Sequence, residues 1–397
     1  MQINKVAVVG SGTMGSSITV AFIGRGIPVL LKDVDQAAIE NGLNNVDRLL
    51  NSRVQKGLSP KEAKAQRELI EPAVDYEQFS DVDFVIEAVA ETIDIKRKVF
   101  EDLDEFCNVD AIFASNTSSL SITQLGSFTR RPDKVVGMHF FNPAHLMKLV
   151  EVIPGLETSG ETVAATIELG QMLGKLAVRV EECASFLVNR LLGRYMNEAL
   201  WCLQEGSATV EDIDKSACEY VMPIGPLALR DMNGADIGLA VARFNYQEYG
   251  ERFRPAPVLE EMVNRGLLGQ KTMGGFYTYD EQTRKRAGVN PALDGALQAC
   301  KNNSSGQSLP FTVERLFLPM INEAFLALQE RICAADDLDP ALMAGLGMRK
   351  GPLALAVEMG LDVCLSKIEE HYRVYGERFR PAPLLKRFVW AKRTSIL

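Results

Sequence analysis

The sequence predicts an α/β domain of the doubly wound type, followed by two tandem all-α domains related by internal duplication. Three observations carry this. From Ile3 to about residue 182, short β-branched apolar runs alternate with helix-length segments, the pattern of a largely parallel sheet with crossover helices. A glycine-rich turn, Gly10-Ser-Gly12-Thr-Met14-Gly15, stands between the first such run and the first helix. Beyond residue 182 the chain reads as helical and repeats itself. Asn197-Glu-Ala199 recurs as Asn322-Glu-Ala324, Gly225-Pro-Leu-Ala-Leu229 as Gly351-Pro-Leu-Ala-Leu355, and Tyr249-Gly-Glu-Arg-Phe-Arg-Pro-Ala-Pro257 as Tyr375 to Pro383, at offsets that agree to one residue. The expected domains are 1–182, 183–286 and 311–397, with a Gly/Pro/Asn/Ser-rich linker from Ala287 to Pro310 that contains Asn302 to Gly306.

Taken in order, Ile3 to Val9 is a buried strand. It runs into G-x-G-x-x-G, then a helix over Ser16 to Arg25, then a second strand, Pro28 to Asp33, that ends in an acid. This is the context in which the glycine pattern means dinucleotide binding in a Rossmann-type domain. Gly10 allows the tight turn, Gly12 lets backbone approach a pyrophosphate, and Gly15 lets helix and strand pack closely. The helix N-terminus supplies free N–H groups for the phosphates. Asp33 accepts hydrogen bonds from a ribose 2′-hydroxyl and repels a 2′-phosphate, which favours NAD over NADP. Lys32 works against that preference if it faces the ribose.

Asn41 to Ile70 reads as an inserted helical hairpin with a basic face: Arg48, Arg53, Lys56, Lys61, Lys64 and Arg67. Ser59-Pro60-Lys61-Glu62 is its internal helix start, with a capping serine, proline in the first turn and glutamate three residues on. Two readings stay open for the basic face, a solvated surface and a clasp for a bulky anion. Asp83 to Glu87 is a strand, Ile93 to Phe106 a helix, and Ala111 to Ser115 a strand. The polar loop Asn116 to Leu120 follows at a strand's carboxyl end, where doubly wound sheets bind ligands, with Ser118 as a turn cap or a substrate donor.

Val135–His139 and Lys148–Ile153 read as strands joined through an Asn142-Pro143 turn. Adjacent strand ends bring His139 and Glu151 within reach. A carboxylate on one imidazole nitrogen fixes the tautomer and raises basicity at the other, which suits a general base. A structural histidine beside a strand glutamate is the alternative. Gly160 to Gly174 is then a helix and Ala177 to Val180 the last strand.

Hydrophobic content of 47% and charged content of 24% are those of a soluble globular chain. A net charge of −9 argues against a general nucleic-acid surface. Seven scattered cysteines without a Cys-x-x-Cys pair suit a reducing compartment, here taken as the cytoplasm, and argue against a structural metal. No apolar run is long enough for a membrane span, and the strand-like start leaves no room for a signal peptide.

Several further motifs are present in order: I-E-A-V-A-E at Ile86–Glu91, S-N-T-S-S-L at Ser115–Leu120, H-F-F-N-P at His139–Pro143, F-L-V-N-R at Phe186–Arg190, and Gly269-Gln-Lys-Thr-Met-Gly-Gly-Phe-Tyr277. With these the chain resembles, over essentially its whole length, the NAD-dependent L-3-hydroxyacyl-CoA dehydrogenases, in the long form with a duplicated helical domain. The resemblance implies oxidation of a 3-hydroxyacyl-CoA to the 3-oxoacyl-CoA in fatty-acid or related metabolism. The competing activity for this architecture is a β-hydroxyacid or sugar-acid dehydrogenase. A protein that keeps the fold without catalysis is a third reading.

The resemblance also assigns roles. His139 is the acid/base and Glu151 its orienter. Ser118 and Asn189 bind the reacting part of the substrate. Glu91, Asn142 and Lys271 contact the nicotinamide half of NAD, while Gly10, Gly12, Met14, Gly15 and Asp33 hold the rest. Lys96 matches a lysine near the CoA moiety. Ser185 and Arg194 depart from the family's usual Gly and Pro, and the second copy has Glu314 where Asn189 aligns and no counterpart of the Lys271 loop. The expected partner is acyl-CoA alone, with no nucleic acid and no membrane. The two helical copies are expected to pair within one chain as a pseudo-dimer, leaving a monomer or a homodimer.

Overall fold

The computed structural model describes residues 3–300 and 309–396. It divides into two compact units, Met1–Phe186 and Leu187–Leu397. The first unit contains β1 (Val6–Val9), α1 (Thr13–Ile23), β2 (Val29–Lys32), α2 (Gln36–Gln55), α3 (Pro60–Arg67), β3 (Ile70–Ala73), β4 (Phe84–Glu87), α4 (Ile93–Phe106), β5 (Ile112–Ser115), α5 (Ile122–Gly126), β6 (Val135–Phe140), β7 (Leu149–Pro154), α6 (Gly160–Met172) and β8 (Leu176–Arg179).

Its eight strands form one sheet in the order β3-β2-β1-β4-β5-β6-β7-β8. Every neighbouring pair is parallel except β6 and β7. The central strands β1, β2, β4 and β5 are buried at every residue, as a sheet covered on both faces requires. Strand order reverses between β1 and β4, which opens a crevice at their carboxyl ends. In the hairpin, Ser59 and Glu62 form the capping box, and Arg67 pairs with Asp47 at 2.8 Å across α3 and α2. The sequence reading had no strand at Ile70–Ala73. It contains Pro72, which cannot donate to a ladder and is tolerated here because β3 is the sheet's edge.

The second unit is largely helical: α7 (Phe186–Gln204, beginning at the unit boundary), α8 (Val210–Tyr220), α9 (Pro226–Asn233), α10 (Ala235–Tyr249), α11 (Pro257–Asn264), a hairpin of β9 (Tyr277–Tyr279) and β10 (Arg286–Val289), α12 (Leu293–Cys300), α13 (Val313–Gln329), α14 (Ala335–Leu346), α15 (Pro352–Met359), α16 (Leu361–Tyr375) and α17 (Pro383–Trp390). The expected linker is therefore corrected in its first half. β10 completes an antiparallel pair with β9, and α12 buries Leu293, Ala296 and Cys300 along one helical face. Those three recur at helical spacing inside a segment whose Gly and Pro content suggested a loop. Residues 301–308, including the Asn302 to Gly306 stretch, lie outside the described residues.

Charge organises the interior of this unit. Arg190 on α7 donates from Nε to Glu323 at 2.8 Å and from Nη1 to Glu330 at 2.7 Å, both on or just beyond α13. Reciprocally, Arg315 on α13 reaches Glu198 at 2.9 Å and Glu205 at 2.5 Å, on or just beyond α7. Arg252 adds to Glu323 at 3.2 Å, and Arg378 adds to Glu198 at 3.3 Å and Glu205 at 2.6 Å. Arg190, Arg315 and Glu323 have no exposed surface. Ion pairs this deep lose hydration on both sides, so deleting one member leaves its partner buried and uncompensated. Glu323→Ala strands Arg190 in this way and should lower unfolding free energy by about 3–5 kcal/mol, read from urea denaturation. A loss below about 1 kcal/mol, the range of a surface pair, would contradict this account of the interior.

Candidate active site

The first part of the site is the β1–α1 turn. Gly10 has φ +99°, and a Cβ there would stand 2.6 Å from the Ala88 carbonyl oxygen beyond β4. A Cβ on Gly15 would stand 1.7 Å from the Gly10 carbonyl oxygen. Both positions are closed to side chains by backbone. Gly12, at the N-cap of α1, is the opposite case: nothing lies within 4 Å of its Cβ position. Open space over the first turn, with N–H groups that have no intrahelical acceptor, fits a pyrophosphate. Met14 packs its side chain against the core beneath.

At the end of β2, Asp33 accepts from the Ser11 amide and hydroxyl, each at 2.7 Å, and from the Val34 amide at 2.7 Å. Burial pushes its carboxyl up. The Ser11 and Val34 bonds and nearby Lys32 outweigh that and hold it below the usual carboxylate value. An ionised carboxylate has about four acceptor sites, so capacity remains for a ribose hydroxyl. Lys32 is buried with Nζ 4.3 Å above the Tyr76 ring. Buried over that ring, its amine is not exposed to meet a 2′-phosphate.

The second part lies at the ends of β4 and β5. Glu91 Oε1 accepts from Thr117 Oγ1 at 2.5 Å, the Ser118 amide at 3.0 Å and Ser119 Oγ at 3.2 Å, so one carboxylate oxygen gathers the whole loop. Burial opposes its charge, but Lys96 and the bonds from Thr117 and Ser118 hold the carboxyl below its ordinary range. The expected contact of Lys96 with CoA is corrected here. Its side chain is 1% exposed and its Nζ donates to both Glu87 oxygens, at 2.7 and 2.8 Å, with Glu91 at 3.2 Å. An amine sealed between two carboxylates cannot reach a bulky ligand; it positions the loop.

Sequence reasoning missed Glu87. The signal was a charge closing the otherwise apolar run Phe84–Glu87, because a charge on a buried strand needs a partner. It also missed Asn116, whose side chain accepts from the Phe140 amide at 2.9 Å and ties the loop to β6.

The third part is the histidine. In the antiparallel register of β6 and β7, His139 lies directly opposite Glu151. Directly opposed residues project to the same face, and here His139 Nδ1 and Glu151 Oε2 are 2.7 Å apart. Glu151 is fully buried and His139 is 5% exposed. Phe141 and Phe186 flank the imidazole, with ring centroids at 4.7 and 5.7 Å. With Nδ1 committed to a carboxylate, Nδ1 carries the proton and Nε2 is the basic nitrogen. Asn142 is exposed in the turn that follows. The other histidine of this stretch, His145, is held by Ser17 Oγ at 2.8 Å. Burial, then Arg53, Lys175 and Lys56, pushes it below the ordinary imidazole value.

Asn189 and Lys271 belong to the second unit. Asn189 is half-buried on the first turn of α7. Lys271 Nζ contacts both Asp236 oxygens at 2.5 Å. Ser185 and Phe186, at the unit boundary, have φ of +61° and +51°. That is left-handed backbone of the kind that favours glycine, and Ser185 adopts it here.

Comparison with known proteins identifies the family. The family model for the 3-hydroxyacyl-CoA dehydrogenase NAD binding domain matches residues 5–183. That for the 3-hydroxyacyl-CoA dehydrogenase C-terminal domain matches twice, over residues 186–279 and 311–395. A glyoxysomal fatty acid beta-oxidation multifunctional protein of Brassica napus is 34% identical over 97% of this chain, which spans 54% of that protein. The chain thus covers about half the length of the multifunctional relatives it matches. A 3-hydroxybutyryl-CoA dehydrogenase of Clostridioides difficile is 45% identical over 70% of this chain and all of its own. The crystal structure of a 3-hydroxybutyryl-CoA dehydrogenase from Escherichia coli superposes with a TM-score of 0.87 and 30% identity, covering 98% of this chain and 99% of that one.

The cradle makes a direct prediction. Gly12→Ala should still fold, because the added Cβ meets nothing within 4 Å, yet weaken NADH binding at least about tenfold by filling the space a pyrophosphate needs. Fluorescence titration with NADH measures this. Wild-type affinity in the variant would show that the open space is not the cofactor's.

Proposed function

Because the chain belongs to the 3-hydroxyacyl-CoA dehydrogenase family, we propose that it oxidises L-3-hydroxyacyl-CoA esters to 3-oxoacyl-CoA esters with NAD, in fatty-acid or related acyl-CoA metabolism. The observation that carries this reading is the His139–Glu151 pair, a buried carboxylate on one imidazole nitrogen with the other left basic. NAD, when bound along Gly10, Gly12, Gly15 and Asp33, supplies the hydride acceptor.

In the oxidation, His139 Nε2 takes the proton of the 3-hydroxyl as C3 loses hydride, and Glu151 stabilises the imidazolium that forms. A positioned base of this kind contributes about 10²–10⁴-fold. Ser118 and Asn189 hydrogen-bond the reacting oxygen by family resemblance. Glu91, Asn142 and Lys271 are assigned to the nicotinamide end on the same ground. The exposed Lys56, Lys61 and Lys64 of the hairpin are the residues offered to CoA phosphates. The free cysteines suit a reducing, cytoplasmic setting.

The two helical segments, α7–α11 and α13–α17, are read as copies that pair within one chain. Local detail supports descent from one unit. Asp214 accepts from the Leu227 and Ala228 amides, and Asp339 from those of Leu353 and Ala354. Asn197 bridges the Arg254 carbonyl and the Ala256 amide, and Asn322 bridges those of Arg380 and Ala382. The reciprocal Arg190–Glu323 and Arg315–Glu198 pairs have the form of an isologous interface, here between segments of one polypeptide. Arg194, where the family usually has Pro, is buried against that interface, 3.7 Å from Glu323. Its counterpart in the second copy is Pro319. With Glu314 at the position of Asn189, the second copy has no site of its own, leaving one active site per chain.

The test is NADH formation with 3-hydroxybutyryl-CoA, compared with free 3-hydroxybutyrate and with NADP. The CoA ester and NAD should be preferred, and His139→Ala should lower kcat at least about 10²-fold while still binding NADH. Turnover of the free acid alone, or more than a tenth of wild-type kcat in His139→Ala, would defeat the proposal.

A further inference from the structure

Asn142, assigned above to the nicotinamide end, stands exposed in the turn between β6 and β7. The peptide group that joins Ala144 to His145, just beyond it, is held from both sides. The Ala144 carbonyl oxygen accepts from Lys175 Nζ at 2.6 Å, and the His145 amide donates to Ser17 Oγ at 3.2 Å. Carbonyl and amide of a trans peptide point away from each other in one plane, so the two bonds grip it from opposite directions.

The two anchors belong to different parts of the fold. Ser17 is buried on α1, five residues after Gly12 at the cofactor cradle. Lys175 directly precedes β8, which pairs in parallel with β7 from Leu176 and Leu149 onwards. Each anchor makes a second contact with the turn. Lys175 Nζ also donates to the Met147 carbonyl oxygen at 2.6 Å, and Ser17 Oγ stands 2.8 Å from His145 Nδ1. Inside the turn the Pro143 carbonyl oxygen accepts from the Leu146 and Met147 amides at 2.9 and 3.0 Å, so the anchors act on a compact loop. On the near side, Asn116 already fixes the Phe140 amide. Asn142 therefore lies between two fixed points, Phe140 and Ala144.

Lys175 is half-buried, and its amine bonds carbonyl oxygens rather than a carboxylate. Three donors on one ammonium allow it to take both carbonyls. Burial, then nearby Arg25, pushes its amine down to about 8, so most of it is charged at neutral pH. Folding thus lowers its proton affinity. The resulting cost to stability is full below about 8 and fades as pH rises from there towards the ordinary lysine value of 10.5. A charge retained against stability points to a role at the site.

We propose that Ser17 and Lys175 are positioning residues for the nicotinamide end of the cofactor. By holding the peptide between Ala144 and His145 they set where Asn142 stands relative to a dinucleotide bound on α1. The proposal rests on the assignment of Asn142 above and deepens it.

The test compares, by calorimetry on the full chain, NADH with ADP-ribose, which keeps the pyrophosphate but lacks nicotinamide. Ser17→Ala and Lys175→Met should each weaken NADH at least about fivefold, the scale of one hydrogen bond, and leave ADP-ribose within about twofold. Because both residues hold one peptide group, the double variant should lose less than the product of the single losses. In turnover of 3-hydroxybutyryl-CoA, KM for NAD should rise while KM for the ester stays at its wild-type value. Ser17→Ala removes a single oxygen, so the comparison stands even where Lys175→Met does not fold. Asn142→Ala should reproduce the pattern. Equal weakening of NADH and ADP-ribose would mark a structural contact and overturn the proposal. So would wild-type NADH affinity in Ser17→Ala and Lys175→Met when Asn142→Ala binds NADH weakly, and that result leaves the assignment of Asn142 intact. Wild-type NADH affinity in Asn142→Ala overturns that assignment, and the proposal falls with it.

Discussion

The antiparallel pairing of β6 with β7, in a sheet otherwise parallel, sets His139 directly across from Glu151, and the proposed chemistry depends on it. In a parallel pair the two side chains would have come from strands joined by a crossover helix. Here a short turn joins them, and a buried carboxylate meets a nearly buried imidazole at 2.7 Å. Glu151 is fully buried, so its charge is tolerated through what it bonds. A carboxylate on Nδ1 favours the tautomer that the proposed base requires.

The same logic of buried charge recurs through the chain. Lys96 and Glu87 form a buried pair, and the more exposed Glu91 beside them organises the Thr117–Ser119 loop. The Arg–Glu pairs of the helical unit hold α7 against α13. Each is a case in which a charge inside the protein is satisfied by a specific opposite group, and each restricts geometry more than it adds stability, since hydrophobic replacements of buried pairs are often neutral.

Much of this was legible in the sequence, and the parts that were not share a cause. G-x-G-x-x-G, the strand before it and Asp33 after it are local, and a local pattern of glycines and acids is readable without knowing what it packs against. His139 and Glu151 were found because both lie in short strands joined by one turn. Lys96 was misread because its sequence position, just inside α4, is that of an exposed first-turn residue; its burial is decided by Glu87 on a strand that precedes the helix. β3 was missed because Pro72 is a strand breaker everywhere except at an edge, and edge position is a property of the whole sheet. The structure of 287–300 was missed because a Gly/Pro-rich composition outweighed three apolar residues at helical spacing.

The central claim is that Glu151 fixes His139 with its proton on Nδ1 and Nε2 free. Nitrogen-15 NMR of histidine-labelled protein at neutral pH measures this directly, and with three histidines in the chain the His139 signals can be assigned by replacing His145 and His371 in turn. The account predicts a protonated Nδ1 and an Nε2 with the shift of a bare ring nitrogen, and predicts that Glu151→Gln shifts the population away from that form. A proton resident on Nε2, or a tautomer indifferent to the Glu151 substitution, would contradict it.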